Sequence, residues 1–262
     1  KEHEQETTDA MVFGSAYHCY ILEEDKFKDR YFILDESEIL SILLGEGSKS
    51  PRATNKYKEW KEGQLARAEN KILLDDNTFL KMQKMKRRLF QHPFAKMLLT
   101  SGEPELAIFA EFETFDGTTG KAKIKPDNIK RKKRVIVDLK TCNSAALKDF
   151  PRHAADLDYH IQAAYYKDVI EQMEGTGLPW RFMFVAQEKE APYAFNIFEA
   201  GPQFIGQGRY EYEMLIGLFD WCKTNDKWPG YQVFCDNKYG VLELGLPAYK
   251  VQPLDYFTHN IF

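Results

Sequence analysis

Two aspartates and a lysine stand inside segments that otherwise read as apolar β-structure. Asp127 lies in "KAKIKPDNI", and Asp138 and Lys140 lie in "RVIVDLKT". Strand side chains alternate faces. In the second segment Arg134, Ile136, Asp138 and Lys140 therefore share one face, and Val135, Val137 and Leu139 share the other. In the first, alternation puts Lys121, Lys123, Lys125 and Asp127 together. Antiparallel pairing needs a turn within 130–134. A turn centred between Lys132 and Lys133 sets Asp127 directly across from Asp138; one residue back, Asp127 faces Ile136 and Asp138 is diagonal. Direct cross-strand Cβ atoms are ~5 Å apart and diagonal ones ~7–8 Å, so either register brings the carboxylates to one spot. Such a pair repels unless one member takes a proton or both bind a cation. A hard divalent ion accepts oxygens from the pair, from water and from phosphate. Lys140 is then a point charge able to hold a phosphate or polarise an attacking water. This is equipment for metal-assisted phosphodiester hydrolysis. A salt-bridged hairpin on a sheet surface, with Lys140 pairing Asp138 or Asp127, uses the same residues, and geometry alone leaves both readings open.

The elements that must position these groups fall into two stretches. Residues 1–100 read mainly helical: 7–23 with Thr and Asp caps, 35–45 with an acidic start and a Gly stop, the polar 55–70, and 75–93 with Phe79, Met82, Met85, Leu89 and Phe90 on one side. Residues 101–230 change character. Two strands flank "DGTTG", "RVIVDLKT" follows through "KRKK", and a helix over 159–175 ends at a Gly. The strands "WRFMFVAQE" and "YAFNIFEA" precede a long helix over 202–225. The order βββαββα is an α/β layer arrangement. The tail, 231–262, offers "VLELGLP" as its best strand. The whole, 1–262, reads as a single domain with an N-terminal helical part.

Bulk properties narrow the function classes. The chain has 262 residues, 44% of them hydrophobic, enough for a substantial core. Its formal net charge is −4, so nucleic-acid binding would need a local basic patch or channel. No apolar run approaches a membrane span, and a cytoplasmic protein is expected. Cys19, Cys142, Cys222 and Cys235 form no CxxC pair, and reduced, scattered cysteines are expected rather than zinc or an iron–sulfur cluster. The run "KRKKR" (130–134) reads as a solvated hairpin tip or as a phosphate contact.

The spacing P-D, ten residues, D-x-K resembles the PD-(D/E)xK nuclease motif, and other segments fall in matching order. "GSAYHCYILE", "GEPELAIF", "KIKPDNI", "VDLKTC" and "YHIQAAYYKDVI" resemble successive segments of RecE-type (exonuclease VIII-like) nucleases of phages and prophages, from about residue 10 to about residue 230. The helix also resembles lambda-type exonucleases more loosely. Glu105 is followed by Leu106 and Ala107, where those proteins often carry Glu-x-Ser. The resemblance implies a restriction-endonuclease-like α/β core with a mixed central sheet flanked by helices and an N-terminal helical extension. It implies one or two Mg²⁺ ions per site, with Mn²⁺ as a substitute. His18 is expected as a metal ligand or neighbour, Asp127 and Asp138 as central ligands, and the Leu139 carbonyl as a further ligand. Lys140 would assist the water, Glu105 would be an outer acid, and Gln162 and Tyr166 would support the site or contact DNA. The expected activity is 5′-to-3′ degradation of double-stranded DNA ends. A homo-oligomeric ring and a RecT-like single-strand annealing partner, in a bacterial or phage-encoded system, go with it. The alternatives are a Cas4- or AddB-like end-processing nuclease without a cluster, and a non-catalytic DNA-binding or assembly module on the same fold.

Overall fold

The N-terminal helices begin where capping chemistry puts them. In a computed structural model, which describes residues 8–114, 117–175, 178–230, 241 and 244–245, the Thr8 hydroxyl accepts from the Met11 N–H and opens α1 (Asp9–Leu22). Then come α2 (Glu24–Arg30), β1 (Tyr31–Leu34), α3 (Ser37–Gly45), α4 (Asn55–Ala68) and β2 (Ile72–Asp75). Asp75 caps α5 (Asp76–Phe90), and Pro93 opens α6 (Pro93–Leu99). The helix expected over 75–93 therefore stops earlier, at the residues leading into the proline. β1 and β2 pair in parallel and were not expected. Four-residue apolar runs carry too little periodicity to separate a strand from a helix end.

The chain divides into two units, Lys1–Glu213 and Met214–Phe262. The first holds a five-stranded sheet ordered β3-β6-β7-β8-β9 and a separate ribbon of β4 and β5. These strands are β3 (Glu103–Pro104), β4 (Ile108–Glu113), β5 (Thr119–Ile124), β6 (Asn128–Lys130), β7 (Val135–Cys142), β8 (Arg181–Glu188) and β9 (Phe195–Glu199). All neighbours are antiparallel except β7 and β8. A parallel pair needs a crossover, and α7 (Phe150–Asp156) and α8 (Tyr159–Glu174) supply it. Gly175, at φ 66°, ends α8 as its sequence predicts. The mixed sheet with helices around it is the α/β, restriction-endonuclease-like core expected. α9 (Pro202–Asn225) follows β9 and crosses the division between the units. In the second unit, Phe219 and Trp228 meet edge to face at 5.8 Å.

β7 is buried along nearly its whole length, on both faces. Val135, Val137 and Leu139 pack with Met183, Val185 and the helix residues Ala16, Tyr17, Met82, Met85 and Leu89. Each of the valine, leucine and methionine side chains contributes roughly 1.5–3 kcal/mol on burial. Met11 is half exposed and outside this core.

Two expectations about the central segments need correction. "KAKIKPD" is not one strand: β5 ends at Ile124 in the ribbon, and the chain turns through Lys125–Asp127 into β6 of the main sheet. Pro126 cannot donate a ladder hydrogen bond, and the strand breaks there. Nor is 130–134 a uniformly solvated tip. The Lys130 ammonium is buried on the carbonyls of Thr100 and Ser101, Arg131 pairs with Glu103 and Glu174, and Arg134 lies 5.3 Å from the Trp180 ring. Only Lys132 and Lys133 are exposed. Cys19, Cys142 and Cys222 are buried free thiols; Cys235 and most of "VLELGLP" lie outside the described residues.

Candidate active site

β7 delivers Asp138 and Lys140 two residues apart and hence on one face. Lys140 Nζ lies 2.7 Å from Asp138 Oδ1 and donates to Gln162 Oε1 at 3.1 Å. Gln162 Nε2 in turn donates to Asp138 Oδ2 at 2.8 Å, closing a three-residue ring. Gln162 comes from α8, and two neighbours on that helical face complete the wall. The Tyr159 ring centroid is 4.4 Å from Lys140 Nζ, and the Tyr166 hydroxyl is close to the Gln162 side chain and the Lys125 backbone. Tyr159 was not singled out from sequence; its place three residues before Gln162 on a helix was the available signal.

The β6–β7 ladder pairs Asn128 with Val137 and Ile129 with Ile136, the register whose turn centres between Lys132 and Lys133. Asp127 directly precedes β6, opposite Asp138 by continuation of that register. Its carboxylate accepts from the Leu139 N–H at 2.6 Å. His18, from α1, brings Nδ1 to 3.4 Å from Asp127 Oδ2. Glu105 arrives by an uncommon backbone: its φ is +52°, and its N–H donates to the Asp127 carbonyl at 3.0 Å. Gly102 makes the approach possible. Its φ is +129°, and a Cβ there would fall 2.6 Å from Asn128 Oδ1 and 2.8 Å from the Ile129 carbonyl. Glu105 also pairs with Lys125.

One ligand atom each from His18, Glu105 and Asp127 lie within 4.8 Å of one another. Asp138 stands beside this set, held by Lys140 and Gln162. All the expected side chains thus converge: His18, Glu105, Asp127, Asp138, Lys140, Gln162 and Tyr166. Leu139 contributes its N–H to Asp127.

The electrostatics follow from burial and proximity. Asp138 is 1% exposed. Burial, and then the charge of Asp127, push its carboxyl up to about 6 against the pull of Lys140. Asp127 is driven the other way: burial would raise it, but His18 and the Leu139 N–H hold it below the usual carboxylate range. His18 moves up because Asp127 outweighs burial, and Lys140 moves up because Asp138 outweighs burial. Lys140 is therefore a cation at neutral pH and not a base.

These residues fit a hard divalent cation. The donor set is a histidine and three carboxylates, the composition oxygen-seeking ions take. Asp138 Oδ1 is buried and has no partner in hydrogen-bond geometry, although Lys140 Nζ is near. Buried acceptors are rarely left so, and a site for an ion is one of the recognised reasons.

The mixed sheet and this constellation define the class: a nuclease of the PD-(D/E)xK type, whose fold implies use of a divalent metal. More particularly, the chain belongs to the family described as PDDEXK-like domain of unknown function (DUF3799), whose model matches residues 1–238. The crystal structure of a candidate exonuclease from Eubacterium rectale is similar, at 21% identity and a TM-score of 0.57, covering 98% of this chain and 82% of that one. At that identity the similarity is one of fold. The crystal structure of SSO0001 aligns over 51% of this chain and 66% of that one, at 15% identity and a TM-score of 0.28, too low to indicate a shared fold. No curated protein matches the sequence. Among the described residues no helix is long and apolar enough to cross a membrane.

Proposed function

We propose that the protein is a Mg²⁺-dependent exonuclease of RecE type acting on double-stranded DNA ends, with 5′-to-3′ polarity. Mn²⁺ would substitute, at one or two ions per site. The observation that carries this reading is the Asp127–Asp138 pair, Asp138 buried and Asp127 largely so, with Lys140 clamped beside it by Gln162. Asp127, Asp138, Glu105 and His18, with the Leu139 carbonyl, would hold the metal. A bound Mg²⁺ supplies Lewis acidity toward the phosphate and a water more easily deprotonated.

The chain's own groups do the rest. Lys140, kept charged, orients the attacking water or holds a non-bridging phosphate oxygen. Gln162 fixes both Asp138 and Lys140, so neither must reorganise as charge develops. Water forms the new P–O bond as the bridging P–O bond breaks. A homo-oligomer encircling DNA and a single-strand annealing partner would place the activity in recombination.

The test is digestion of end-labelled linear duplex with Mg²⁺, beside closed circular DNA. Linear DNA should shorten from labelled 5′ ends and the circle should survive. Cutting of the circle would exclude an exonuclease. Cleavage of neither would favour a DNA-binding or assembly module.

A further inference from the structure

Two short segments join the acidic cluster to the β4–β5 ribbon. From Glu105 the chain runs into β4, and into Asp127 the chain runs from β5. Four residues out on each, the first outward-facing pair of the ribbon is Phe109 across from Lys123. The preceding pair, Ile108 with Ile124, is buried beneath it. Phe109 is 70% exposed, a large ring on the face opposite its buried strand neighbours Ile108 and Phe112. Lys123 Nζ lies 5.6 Å from its centroid. Lys121 shares the face of Lys123, with Glu111 across from it, and Lys125, just past the strand end, pairs with Glu105. The Lys123 ammonium has neither a hydrogen bond nor an ion pair among the described residues.

We infer that Phe109 and Lys123 form a nucleotide subsite, in which a base of single-stranded DNA stacks on the Phe109 ring and its phosphate meets Lys123. The proposal rests on the nuclease reading for its DNA ligand and names a contact that reading does not require. An exposed aromatic face beside a cation is the arrangement that holds unpaired bases without regard to sequence. Its distance from the cut is bounded by the chain. Four residues reach at most ~13 Å, and the turns at Glu105 and Lys125–Asp127 shorten that, which puts the subsite within about four steps of a stacked strand at ~3.4 Å each. The subsite would therefore grip the strand a few nucleotides from the scissile bond, after the duplex has opened. The ribbon's separate pairing from the main sheet means Phe109 supports no ladder of the catalytic strands.

The test is binding of single-stranded oligonucleotides to the full chain in Ca²⁺, each carrying 2-aminopurine at one of successive positions from the end. Wild type should quench the probe most strongly at one internal position. Phe109→Ala should remove that maximum and weaken binding about tenfold, Phe109→Trp should keep both, and Lys123→Ala should lower the salt dependence of binding. Equal quenching and affinity in wild type and Phe109→Ala, or no binding by wild type, would overturn the subsite. The nuclease reading is judged apart, by Mg²⁺-dependent digestion by wild type. Loss of digestion with quenching intact would sink that reading and leave the subsite standing.

Discussion

The Asp127 carboxylate accepts from the Leu139 backbone N–H at 2.6 Å, just beyond the last paired residues of the β6–β7 ladder. A side chain thus takes up a strand amide and is itself locked against β7. One carboxylate of the pair is in this way kept ionised, while its neighbour Asp138 is the first of the two to take up a proton as pH falls.

Asp138→Asn should abolish DNA cleavage, by a factor of at least ~10³ if the carboxylate is central to the site. It should not lower thermal stability at pH 7.5, because it removes a buried, repelled charge and keeps the shape. Endpoint digestion and calorimetry on the same preparation check this. A variant that cuts at the wild-type rate would remove Asp138 from the machinery.

The pH dependence of stability has a definite sign. Asp138 titrates at about 6 in the folded chain, above the ordinary carboxylate range. The native state therefore binds more protons than the unfolded state between about pH 4 and pH 6, and metal-free stability falls as pH rises through that window. Asp127, depressed, opposes this only at lower pH, where its stabilisation is lost as it protonates. Adding Mg²⁺ should raise the melting temperature more at pH 7.5 than at pH 5, and Asp138→Asn should flatten the difference. An equal metal effect at both pH values would contradict the assignment.

Lys140→Ala leaves Asp138 buried with only Gln162 as partner. Removing one member of a buried pair costs about 3–5 kcal/mol. The loss should be seen at pH 8, shrink at pH 5 where Asp138 is neutral, and be largely recovered in Lys140→Ala/Asp138→Asn. A denaturant-unfolding cycle over the four proteins measures the coupling.

Gln162→Ala should reduce cleavage by about 10- to 100-fold, the usual scale for removing a residue that orients metal ligands. The melting temperature should move less than for Lys140→Ala, since Gln162 is only partly buried. A steady-state titration in metal and in DNA separates this from lost substrate binding: the apparent metal affinity should weaken more than the DNA affinity.

Gly102→Ala should destabilise the chain by more than about 1 kcal/mol, because a Cβ meets the β6 backbone and φ is positive there. As Glu105 follows three residues later, metal affinity should drop with it. Thermal melts with and without Mn²⁺ report both.

The sequence was most readable where alternation and helical spacing alone fix side-chain direction. Asp138 and Lys140 share a face because strands alternate, Gln162 and Tyr166 because helices turn, and the Val135–Val137–Leu139 face fell into the core as the pattern required. What geometry could not supply from residues was convergence across distance. His18 and Glu105 meet Asp127 only because α1 packs on the sheet and the chain at Glu105 enters a left-handed conformation. Neither cause has a local signature, and ordered resemblance to other nucleases was what pointed to them. The break at Pro126 was visible as a proline, yet its consequence, two sheets in place of one, depends on which strands find partners. The fate of Lys130, sunk onto backbone carbonyls, ran against composition, which reads a lysine in a cation run as solvated.

β7 separates two kinds of selection on one strand. Its valines and leucine face the helical side, and its acid and lysine face α8. Odd-numbered positions from 135 to 139 are expected to tolerate other aliphatic residues with melting temperature as the cost, while on the proposed function positions 138 and 140 answer to turnover as well as to stability. Comparing variation at alternate positions of these eight residues would thus read out stability and activity as two interleaved records.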